Sequence, residues 1–113
     1  MIGGFIIGNQ TTKVVVRAIG PSLGAFGVPT PLANPTLELR DANANLLDSN
    51  NNWKVRDSDG ASQQAAIEAT GLAPSNDLES TIVANLAPGN YTGIVRGVNN
   101  GTGNAVVEAY NLQ

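Results

Sequence analysis

The groups able to do chemistry in this chain are few, and most of them are carboxylates. Asp41, Asp48, Asp57, Asp59 and Asp77 fall in segments of turn or loop composition, whereas Glu38, Glu68, Glu79 and Glu108 fall in strand- or helix-forming ones. Glycoside hydrolysis needs two carboxyl groups facing each other across a cleft at a set separation. A chain of 113 residues offers little room for such a cleft. There is no histidine, so Ser22, Ser58, Ser62 and Ser80 lack the usual general base, and neither lysine stands at a spacing that suggests a Ser–Lys pair. The absence of cysteine removes disulfides, thiol chemistry and thiolate metal sites. No catalytic residue is assigned, and the chain is expected to be non-enzymatic.

Two constellations could bind something. Asp48-Ser49-Asn50-Asn51-Asn52 sets side-chain oxygens at alternate positions, and Asp59 falls where the closing acidic ligand of a twelve-residue calcium loop would be. Trp53, however, occupies the position that such a loop reserves for glycine. A non-standard calcium site built from Asp48, Asn50, Asn52, Asp57 and Asp59 is one reading. The other is a solvent loop whose Asx side chains cap their own backbone, with no cofactor at all. Trp53, the only tryptophan, could stack on a sugar ring or cover one end of the fold and anchor the loop. With two Tyr and two Phe in the chain, no aromatic strip is available for an extended sugar site.

A third candidate is a strand rather than a side-chain cluster. Gly3, Gly4, Phe5, Ile6, Ile7 and Gly8 form a run that is apolar on both faces, with no Lys, Pro or inward charge to blunt an edge. Left open, such a strand invites pairing with another chain. It is expected either to lie inside its own sheet or to be covered by a neighbouring repeat or subunit through strand addition.

The elements that must position these groups are mostly strands. Residues 3–8 and 13–19 are rich in β-branched residues and are separated by Asn9-Gln10-Thr11-Thr12, which predicts a hairpin. Residues 20–35 hold four of the six prolines, and Leu23, Phe26, Val28 and Leu32 are expected to pin that loop to the core. Thr36-Leu37-Glu38-Leu39-Arg40 alternates as a half-buried strand does, and a turn at residues 41–45 leads into a return strand from Leu46. Residues 61–69, closed by Gly71 and followed by Pro74, predict the one short helix. Three further strands follow, over residues 79–86, 91–98 and 104–112, the first two joined by a Pro88-Gly89 turn of type II character. Arg17, Arg96, Glu79 and Glu108 sit inside apolar strand runs, with Arg17 and Glu108 alternating away from their apolar neighbours, which predicts cross-strand Arg–Glu pairs on a partly covered face. About seven short strands and one helix predict an all-β, antiparallel β-sandwich of jelly-roll or immunoglobulin-like kind, spanning residues 1–113 as one domain.

Two stretches resemble known modules. The segments LELRDANANLLDSNNNW, LESTIVANLAPGNYTGIVRGV and GTGNAVVEAYNL resemble the bacterial pre-peptidase C-terminal-like sandwich domains, with the corner match on Leu86, Pro88, Gly89, Tyr91 and Thr92. The run VRAIGPSL, from Val16 to Leu23, is similar to one that precedes the same sandwich pattern in secreted, repeat-containing proteins of environmental bacteria. The resemblance implies an accessory module of a secreted or surface protein. Because the sequence opens almost inside a strand, a repeat or mature excerpt of a longer chain is expected.

Composition narrows the partners. Charged residues make up 13% of the chain, against roughly 25% in an average soluble protein, so Asn, Thr and Ser must supply the polar surface. That balance suits an outward-facing, extracellular protein. Net charge is −3 and the six basic residues are scattered, so nothing here neutralises a run of phosphates, and nucleic acid is not an expected partner. No stretch reaches the roughly 20 apolar residues of a membrane helix, so no membrane insertion is expected. The expected function is a structural subunit or repeat of a bacterial surface filament or large exoprotein, partnered by copies of itself or neighbouring repeats. The alternative is an accessory module for carbohydrate or another surface protein, with calcium as a stabilising ion.

Overall fold

A computed structural model describes residues 1–112. Its strands are β1 (Ile2–Ile7), β2 (Thr12–Ile19), β3 (Pro35–Asp41), β4 (Leu46–Asn50), β5 (Ser80–Leu86), β6 (Gly89–Gly97) and β7 (Val106–Asn111), with one helix, α1 (Gln64–Ala69). They form two antiparallel sheets, in the orders β1-β6-β3-β4 and β5-β2-β7. The sandwich reading is therefore correct in class, strand number and helix. Its strand distribution is not that of immunoglobulin constant domains, whose sheets group strands one, two, four and five against three, six and seven. Here β1, β4 and β7 lie on opposite sheets from their immunoglobulin counterparts.

Alternation explains the core. Val14, Val16 and Ala18 of β2 and Ile82 and Leu86 of β5 face Leu37, Leu39, Tyr91, Val95 and Ile7 of the other sheet. Successive strand side chains point to opposite faces, so Val15 belongs to the outer face of β2, yet it is fully buried. The excursion between β4 and β5, residues 51–79, covers that face. Its α1 buries Ile67 completely, and Arg17 on the outer face donates to Leu72 O at 3.0 Å. Gly71, just past the helix, takes φ +74°, the left-handed conformation that ends helices at glycine.

Two local expectations are overturned. Residues 3–8 and 13–19 do not form a hairpin: β1 pairs with β6 and β2 with β5 and β7, so the connection crosses from one sheet to the other. Both strands must bury an apolar face, and lying on opposite sheets buries each in the shared core, β1 facing β7 and β2 facing β3. The Pro88-Gly89 segment likewise joins strands of different sheets. Tyr91 secures that corner, its hydroxyl donating to Ala87 O at 2.6 Å, in the manner of a tyrosine corner. In the proline-rich loop Leu32 is buried and Leu23 and Val28 are half-buried, but Phe26 is 83% exposed, at the end of a short 3₁₀ helix over Pro21–Phe26. The tight turn carries Phe26 away from the sheets.

The β3–β4 hairpin is the one link between consecutive strands of one sheet. Asp41 organises its turn, accepting from Asn43 N (2.9 Å), Asn45 N (3.0 Å) and Asn45 Nδ2 (3.1 Å). The donors from Asn45, backbone first and side chain second, favour the carboxylate and hold Asp41 below its ordinary value of 3.8. A depressed folded value means that its contribution is present above the unfolded value and fades as pH falls through the folded one. The Asp41 carboxyl resonance is expected to titrate below 3.8, and Asp41→Asn is expected to remove its share of the acid sensitivity of folding. A titration at or above that value would contradict the turn's hydrogen bonding.

Candidate functional site

The strand β1 is an edge of the four-stranded sheet. Its alternation sends Gly3, Phe5 and Ile7 inward, where Phe5 stacks on Tyr91 with ring centroids 5.8 Å apart. Gly3 lets β7 come close there, since a Cβ would stand 2.6 Å from Val107 Cγ1 and force that side chain to move. Ile2, Gly4 and Ile6 point outward; Ile2 is 70% exposed and Ile6 76%. Gly8, beyond the strand, is exposed with open space around its Cα.

Backbone phase follows from the first pair. Met1 and Val95 exchange both bonds, Val95 N to Met1 O at 2.8 Å and the Met1 amino group to Val95 O at 3.1 Å. In an antiparallel ladder such pairs alternate, so Gly3, Phe5 and Ile7 bond to β6. The N–H and C=O groups of Ile2, Gly4 and Ile6 consequently point away from the sheet, along an edge with no strand neighbour.

The other edges carry the features that discourage pairing. At the start of β5, Asn50 Oδ1 accepts from Thr81 N at 3.1 Å and Gln63 Nε2 donates to Thr81 O at 3.2 Å, so side chains occupy that edge. Against β4 the register shifts between Leu39 and Arg40, and β4 carries Asp48. On β7 stands Glu108, directly opposite Arg17 and hydrogen-bonded to its Nε at 2.9 Å, as alternation predicted. β1 has no charge, proline or bulge, and unlike β5, which shares that composition, it has no side chain bonded along its edge.

The five oxygen-bearing residues of the calcium reading are dispersed in role. Asp48 accepts from its own neighbour Ser49 N at 2.8 Å, and Asn50 is buried with both ends of its amide engaged, Nδ2 on Val55 O and Oδ1 on Thr81 N. Asn52 is exposed; Asp57 accepts from Asn51 N at 3.3 Å, and Asp59 from Ala61 N at 2.9 Å. Among the described residues no group of three or more acidic, His or Cys side chains is placed to hold a metal ion. Trp53 is 4% exposed and presents no open face for a sugar. Its backbone N–H donates to Glu79 O and its backbone carbonyl accepts from Gln63 Nε2, so it anchors the excursion.

Glu79, which the sequence offered as a strand acid for cross-strand pairing with arginine, has other partners. Immediately before β5 and fully buried, its carboxylate accepts from Gly20 N (2.9 Å), Ser22 N (2.9 Å), Asn76 N (3.2 Å) and the Ser22 hydroxyl. A carboxylate has about four lone-pair sites, and these four donors fill them. Glu79 is thus a clamp on the Gly20–Ser22 turn within the VRAIGPSL run, with little accepting capacity left to serve as a base for Ser22. The only signal in the sequence was a lone acid before an apolar strand in a chain poor in charge.

Beside this turn Arg17, Ser22, Leu23, Phe26, Pro74 and Val106 line a cavity of about 340 Å³. None of the helices is long and apolar enough to cross a membrane, among the described residues. Comparison with known proteins found no matching family model, no matching curated protein and no matching solved structure.

Proposed function

We propose that this chain is a non-catalytic extracellular structural module, a subunit or repeat of a bacterial surface filament or large exoprotein, that joins its neighbours through the β1 edge. The observation that carries this reading is the open, uncharged edge of β1, with Ile2 and Ile6 exposed beside outward-pointing backbone groups. Edge strands of monomeric proteins are ordinarily blunted by charge, proline, bulges or a covering segment, and an edge without them suits a strand that is covered in use. The low charge and the resemblance to secreted sandwich modules support the extracellular setting.

Light scattering over a concentration series, beside electron microscopy, tests the proposal. The chain is expected to form dimers or longer assemblies, and Ile6→Lys is expected to abolish them while leaving the thermal midpoint within about 2 °C, since surface changes rarely exceed 0.5 kcal/mol. Assembly unaffected by Ile6→Lys, with Val55→Lys as the exposed control, would reject the β1 edge. A chain that stays monomeric would move the reading to an accessory binding module. The cavity beside the exposed Phe26 is then the place for a ligand, and loss of stability on chelation would add calcium.

A further inference from the structure

We propose that β1 pairs with β1 of a second copy, antiparallel about a two-fold axis at Gly4, joining two four-stranded sheets into one of eight strands. This inference rests on the assembly role of the β1 edge and names its partner. The outward residues Ile2, Gly4 and Ile6 read the same in both directions. An antiparallel copy therefore sets Ile2 opposite Ile6 of the partner and Gly4 opposite its equivalent. All three positions already point N–H and C=O outward, so each pair exchanges two backbone bonds with no change in β1.

Complementarity favours a copy over the chain's other edges. β1 contains no charged residue, so pairing with itself desolvates no charge and opposes no like charges. Pairing with β4 would bring Asp48 to the seam, and pairing with β7 would bring Glu108 close to it. β5 is already occupied at Thr81 by Asn50 and Gln63. At the axis, Gly4 removes the side chains that would otherwise meet, and the isoleucines of the two copies abut on one face. Such an interface is isologous and closes at two copies. A longer assembly would need a second contact elsewhere on the dimer.

The register gives a test that needs no ligand. Because the chain has no cysteine, single-cysteine variants are unambiguous. Hydrogen-bonded antiparallel pairs hold Cα atoms about 5.5 Å apart, within disulfide range. Gly4→Cys has room, its Cβ meeting nothing nearer than Tyr91 O at 3.8 Å. Under mild oxidation Gly4→Cys is expected to form covalent dimers at least about tenfold faster than Ile2→Cys or Ile6→Cys alone. A mixture of Ile2→Cys and Ile6→Cys is expected to cross-link as fast as Gly4→Cys.

Equal rates for all single variants, or fastest cross-linking of Ile6→Cys with itself, would overturn the two-fold at Gly4. Assemblies that depend on Ile6 but do not cross-link through Gly4 would overturn this pairing while leaving the β1 edge in use. A chain that remains monomeric between about 1 µM and 1 mM, with no variant cross-linking above the rate of a Val55→Cys control, would overturn both.

Discussion

Replacing Glu79 by alanine is expected to lower the thermal midpoint by about 15 °C, the deepest single loss from any polar side chain in the fold. The carboxylate accepts three backbone N–H groups and a hydroxyl, and it is fully buried. Hydrogen bonds to a charged group contribute about 1.5–3 kcal/mol each, and donors left buried without a partner add their desolvation. These terms do not add fully, so about 4 kcal/mol is the expected loss. Glu79→Gln keeps the shape but turns an amide N–H₂ toward donors; only the Ser22 hydroxyl can reverse its direction to meet it. About half the loss of the alanine variant is expected from it. Melting by circular dichroism, with hydrogen exchange at the Gly20, Ser22 and Asn76 amides, reads both effects. A fall under about 3 °C with those amides still protected would mean that the turn is held without its clamp.

Gly20→Ala is expected to be nearly as damaging, for a steric reason. A Cβ at residue 20 would stand 2.2 Å from Leu32 O and 3.2 Å from Leu32 C. These are backbone atoms, and Leu32 N is itself tied to Asn104 O at 2.7 Å, so the obstacle cannot step aside. A loss of about 3 kcal/mol or more is expected in urea denaturation. Because both changes release the same turn, the Glu79→Ala, Gly20→Ala double variant should lose less than the sum of the two, by about 1 kcal/mol or more. Strict additivity would show that glycine and clamp act on independent parts of the loop.

Much of the architecture was legible in short windows. The β-branched runs, the alternation over residues 36–40 and the Gly, Pro and Asn punctuation identify strands by local sterics and two-residue periodicity. Gly71 marked the end of α1 because only a left-handed residue was wanted there. Arg17 and Glu108 were readable as outward residues because alternation fixes the face. Their pairing required that β7 return beside β2, which no local pattern states.

The candidate site divides the same way. That residues 3–8 form an apolar strand with nothing to blunt an edge is a property of those residues alone. Whether the strand would lie at an edge depends on which partner it took. The four-residue spacing to β2 suggested a hairpin, and burial against the opposite sheet decided otherwise. Trp53 is buried in a polar segment, as its covering and anchoring reading had it, whereas Phe26, expected to pin its loop to the core, is exposed in an apolar one. Side-chain type sets what burial is worth, but the path of the chain sets which side chains can reach the interior.

The amino-acid sequence by itself determined the strands, their inward and outward faces, the helix and the absence of any charge on β1, because these follow from neighbours a few residues apart. The tertiary structure alone decided that β1 stands at an edge, that β5 is capped by Asn50 and Gln63, and that Glu79 clamps Gly20 from 59 residues away. Such contacts form only when distant segments are brought together to bury apolar surface, and that balance is struck over the whole chain at once.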